Sequence, residues 1–75
     1  MIKADEVLFL KTLASERPRQ TKGPFATDIG VRLGIPVKRA EYLLKKWSRR
    51  GWWNCGVSLR SGWLEAPGLE VARNL

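Results

Sequence analysis

"GIPVKRAEYLLKKWSRRGWW", residues 34–53, holds six cations and three tryptophans in one segment. The cations are Lys38, Arg39, Lys45, Lys46, Arg49 and Arg50. A solvated charge run, a membrane-surface helix, and a helix that packs on one side and meets an anion on the other all fit that inventory. Spacing separates them. Advancing about 100° per residue from Pro36, Ala40, Leu43, Leu44 and Trp47 fall within about 100° of arc, whereas Lys38, Tyr42, Lys45 and Arg49 share about 60° on the opposite side. Arg39 and Arg50 flank the apolar stripe, where their stems can cover it. The segment is expected to be a helix over about 36–50, divided lengthwise into a packing face and a basic face. Pro36 suits its first position, since an N–H there would be unpaired anyway, and Gly51 supplies the stop.

A packing face needs partners, and the flanking sequence offers them. From about residue 2 to 15, Val7, Phe9, Leu10, Leu13 and Ala14 recur on one helical face, with Leu8 on the polar side. "RPRQTKGP" breaks that helix and reads as a basic loop. A short helix follows over about 27–33, with Thr27 as its N-cap, Asp28 at the positive end of the helix dipole and Gly34 at its stop. Ile29 and Leu33 form its buried stripe. Gly30 costs about 1 kcal/mol against alanine inside a helix, which is tolerable where a neighbouring helix must approach closely. Beyond Gly51, "WWNCGV" and "SGWLE" read as two strands of a hairpin over about 52–65. Pro67 and Gly68 are expected to break the second strand, with a last helix over about 68–75. The fold class is therefore mainly α with a small β-hairpin, in one domain spanning residues 1–75.

The 75 residues carry a net charge of +7 and 44% hydrophobic residues, which point to a folded chain rather than a disordered one, with an anionic partner or with non-specific stickiness. Residues 17–60 hold eleven Lys and Arg against Asp28 and Glu41, a net +9, and each flank sums to −1. That is a footprint rather than a uniform coat. A single cysteine, Cys55, and no histidine argue against disulfides, a metal site and the usual general base. There is no nucleophile with a base, no paired carboxylates and no glycine-rich phosphate loop, so no enzyme and no cofactor are expected. The N-terminal "MIKADEVLFLKTL" has acids near its start and no long apolar run, unlike a signal peptide or a membrane span. A cytoplasmic protein is the expectation. A membrane-surface role for the basic helix would need Leu43, Leu44 and Trp47 free, yet Leu10, Ile29 and Leu33 require a partner of the same kind. Trp47 lies mid-stripe and belongs in the core. Trp52 and Trp53 face opposite ways if they start a strand, which leaves one of them open to exposure, with core or interface burial expected over base stacking.

The order helix, helix, helix, hairpin, short helix resembles the winged helix-turn-helix family of DNA-binding domains. The resemblance rests on "DIGVRLGIPVKRAEYLLKKWSRRGWW", in which Ile29, Gly30, Leu33, Gly34 and Ile35, then Ala40, Leu44 and Trp47, then Gly51, Trp52 and Trp53 are similar to the family's spacing. "LEAPG" resembles the exit from the wing in many bacterial regulators. Trp47 stands where leucine is more usual, and from Gly56 to Ser61 the wing offers only Arg60 as a cation.

The resemblance implies a small bacterial or phage transcription regulator that binds duplex DNA with its third helix in the major groove. By carry-over, Val37, Lys38, Glu41 and Tyr42 would face bases. Lys45, Lys46 and Arg49, with Arg17, Arg19, Lys22 and Arg60, would meet the phosphate backbone. Glu41 could accept from cytosine N4 or pair with Lys45 one turn on. The alternative is a winged-helix module that binds protein or RNA within a larger complex. Spare apolar surface is confined to Leu8, one of Trp52 and Trp53, and the Val71–Leu75 end, so a monomer in solution is expected, with any pairing on DNA.

Overall fold

The computed structural model describes residues 3–16, 25–54 and 62–75. Four helices and a two-stranded antiparallel sheet follow in the order α1 (Ala4–Glu16), α2 (Ala26–Arg32), α3 (Val37–Arg49), β1 (Trp53–Asn54), β2 (Trp63–Leu64) and α4 (Ala66–Arg73). The chain is thus mainly helical with a small β element.

In α1, Phe9, Leu10 and Leu13 are fully buried and Leu8 is exposed, as the periodicity requires. The helix runs to Glu16, one residue past the expected end. Helix α2 starts one residue before its expected boundary. Phe25 takes the cap position in extended conformation, and its N–H donates to Asp28 Oδ2 at 3.1 Å. Thr27, expected to cap, is instead buried in the first turn. The carboxylate of Asp28 reaches back to the chain entry, so the hydroxyl is not needed there.

Both α2 and α3 end the same way. Gly34 and Gly51 adopt φ of 85° and 79°, a left-handed conformation that costs glycine no Cβ clash. After α2, Ile35 N–H donates to the Gly30 carbonyl at 2.9 Å and Gly34 N–H to Val31 at 2.9 Å. After α3, Trp52 N–H donates to Trp47 at 2.8 Å and Gly51 N–H to Ser48 at 3.1 Å. These paired bonds satisfy carbonyls the helices leave open, and they fix the direction in which the chain departs. Pro36 precedes α3 as its cap, with ψ of 147°, rather than forming its first turn.

The β strands pair Trp53 with Leu64 and Asn54 with Trp63. Trp53 is buried and Trp52 only partly so. The expected wing tip, with Cys55 and Arg60, lies outside the described residues. Helix α4 begins at Ala66, two residues earlier than expected. Pro67 does not break the chain before the helix; it sits inside the first turn, where its missing N–H is harmless.

One core joins these elements: Phe9, Leu10 and Leu13 of α1, Ala26 and Ile29 of α2, Ile35, then Ala40, Leu43, Leu44 and Trp47 of α3, with Trp53 and Ala72. Gly30 lies where a Cβ would meet Ala40 Cβ at 3.1 Å and Phe9 Cζ at 3.3 Å. The close approach expected from its cost in a helix is there. No helix among the described residues is long and apolar enough to cross a membrane.

Candidate nucleic-acid interface

Helix α3 buries Ala40, Leu43, Leu44 and Trp47 and leaves Val37, Lys38, Tyr42, Lys45 and Arg49 exposed. The division expected from the spacing is present in the folded chain. Thirteen residues at about 1.5 Å each make α3 about 20 Å long. Its exposed side carries a row, with Lys38 and Tyr42 in the first two turns and Lys45 and Arg49 beyond, and Val37 is exposed to one side of it at the N-terminal end. Tyr42, at 56% exposure, is the most open large hydrophobic side chain among the described residues. Glu41 is half-buried. An open hollow lined by Tyr42, Lys45, Lys46, Arg49 and Arg50 runs along the C-terminal half.

Arg39 and Lys46 of α3, and Arg50 just past its end, make contacts within the fold. Arg39 spans α1 and α3, donating from Nε to Asp5 Oδ2 at 3.1 Å and from Nη2 to Asp5 Oδ1 at 3.3 Å. That two-point pairing holds the Asp5 carboxyl below its ordinary value of 3.8 and raises the Arg39 guanidinium above its own. The same guanidinium lies 5.6 Å from the centre of the Tyr42 ring, within cation–π range. Arg50 lies 5.3 Å from the Trp52 ring.

Lys46 was expected among the phosphate contacts. Its Nζ instead donates to Glu6 Oε1 at 3.1 Å. Glu6 Oε2 accepts from Trp47 Nε1 at 2.9 Å. Glu6 is a carboxylate at 2% exposure whose two oxygens are each bound to a donor from α3. The buried charge and the buried indole N–H therefore answer each other. Arg32, on α2, pairs with Glu16 of α1. Arg17, Arg19, Lys22 and Arg60 lie outside the described residues.

Asp5 and Glu6 are the residues that sequence reasoning missed. Acids in a first turn read as partners of the helix dipole, and their actual partners lie 34 to 41 residues away. A signal for Glu6 existed. It stands three, four and seven residues before Phe9, Leu10 and Leu13, on the buried stripe itself.

Chemically, the surface offers ammonium and guanidinium groups for anions, a phenol, and one β-branched apolar side chain. Among the described residues no group of three His, Cys, Asp or Glu side chains could hold a metal ion. Compared with family models, curated proteins and solved structures, the chain matches none of them, so its functional reading rests on this geometry.

Proposed function

We propose that this chain is a winged helix-turn-helix domain that binds duplex DNA in the cytoplasm as a small transcription regulator, with α3 in the major groove. The observation that carries the reading is the exposed row of α3. Lys38, Tyr42, Lys45 and Arg49 project from a helix whose opposite side is locked into the core, so the row is presented on a rigid element. The turn from Leu33 to Pro36, closed by the Gly34 and Ile35 bonds, supports the helix-turn-helix assignment. The antiparallel pair β1–β2 supports the wing.

Affinity comes from backbone contacts, and sequence information from the N-terminal half of α3. Lys45 and Arg49 serve phosphates; Val37, Lys38 and Tyr42 serve base edges. The protein works as a monomer in solution, pairing if at all on DNA.

A four-variant panel, titrated against a selected duplex and a scrambled one, tests the division of labour. Lys45→Ala and Arg49→Ala should weaken both duplexes alike and shallow the salt dependence by about one unit each. Lys38→Ala and Tyr42→Ala should cost about 1–3 kcal/mol on the selected duplex and much less on the scrambled one. If all four lose affinity in equal proportion on both, α3 is an electrostatic anchor and does not read sequence.

A further inference from the structure

Val37 is an apolar side chain that neither its helix nor the core requires. It is 45% exposed and lies outside both the buried cluster and the hydrophobics packed against it. As the first residue of α3 it is β-branched, so alanine would serve the helix better. Lys38 beside it opens the cationic row, and Pro36 before it, its φ fixed by the ring at −57°, is extended with ψ of 147°.

Resting on the duplex-DNA reading above, we propose that Val37 recognises the 5-methyl group of a thymine, so that the preferred duplex carries a T·A pair beneath the first turn of α3. In the major groove the thymine methyl is the apolar mark that each T·A pair displays beside its polar pattern. An apolar side chain at the N-terminal end of a groove-lying helix is in place to meet it. Val37 suits the task physically. In a helix its χ1 has one strongly preferred rotamer, so contact costs little side-chain entropy, unlike ordering a lysine or arginine.

Tyr42, the other large exposed hydrophobic of α3, is differently equipped. Its ring already lies beside the Arg39 guanidinium, which Asp5 holds by two hydrogen bonds. Its phenol then offers a polar contact, leaving Val37 as the apolar reader.

The test begins by selecting a preferred duplex from a random pool with the wild-type chain. Each thymine is then replaced in turn by deoxyuridine, which removes the methyl and keeps the base-pairing edge and O4. One replacement should lower affinity about fourfold, the worth of one buried methyl group. Val37→Ala should bind the thymine and deoxyuridine duplexes equally while melting at or above the wild-type temperature. If no replacement affects the wild type, or if Val37→Ala keeps the discrimination, thymine recognition is overturned and duplex binding stands. Binding without any enrichment in the pool overturns it too. No binding to any duplex at low salt removes the duplex reading itself, and this inference with it.

Discussion

Trp47 and Glu6 form the most consequential pair of side chains in the fold. The indole is fully buried, its ring 5.3 Å from that of Phe9 and tilted at 46°. Its N–H donates to the Glu6 carboxylate at 2.9 Å. Trp47→Ala should therefore cost about 3–5 kcal/mol, a large share of what a domain this small can hold. Urea unfolding with wild-type stability would show that α3 is turned the wrong way. Glu6→Ala removes the acceptor for both Trp47 and Lys46, leaving a buried donor unanswered. A loss of about 3 kcal/mol is expected, and Glu6→Gln, which keeps one carbonyl oxygen, should lose less. Asp5 adds a pH dependence. Its folded-state value lies below the ordinary 3.8 because Arg39 binds the charged form. The contribution is complete above the unfolded value and disappears as pH falls through the folded one. Melting temperature should thus drop below about pH 4 in the wild type. The drop should be smaller in Asp5→Asn, and equal drops would show that the pair adds no stability.

At the scale of elements, the contact between α2 and α3 is set by a missing methyl group. A Cβ at Gly30 would press on Ala40 Cβ and on the Phe9 ring. Ala40 cannot yield without moving the helix that carries it. Gly30→Ala gains about 1 kcal/mol of helix propensity, yet overpacking costs about 1–3 kcal/mol. A net loss of about 1 kcal/mol is expected in denaturant unfolding. A gain would mean that a Cβ at Gly30 clears Ala40 Cβ by more than 3.1 Å. This glycine was legible from sequence because its cost stood out in a helical stretch, and Gly34 and Gly51 were legible as stops. The stripes of α1 and α3 were legible from period alone. The capping of α2 was not, because Thr27 and Phe25 compete and burial decides between them. Nor was the start of α4, since the same proline can close a strand or open a helix.

Across the whole molecule, charge is partitioned by tertiary structure. The five cations of α3 and Arg50 just past its end looked alike in the sequence, but two acids on α1 claim Arg39 and Lys46. Lys38, Lys45 and Arg49 remain exposed on the outer side. Period could show which side of α3 is basic. It could not show which cations are neutralised, because ion pairs 34 and 40 residues apart leave no local trace. The net +9 carried by residues 17–60 still motivates an anionic partner. The most direct test is a titration with duplex DNA at several salt concentrations. About four to six phosphate contacts give a slope of log K against log salt of about −4 to −5. A flat response, or no binding at low salt, would contradict duplex binding and favour a module that binds protein.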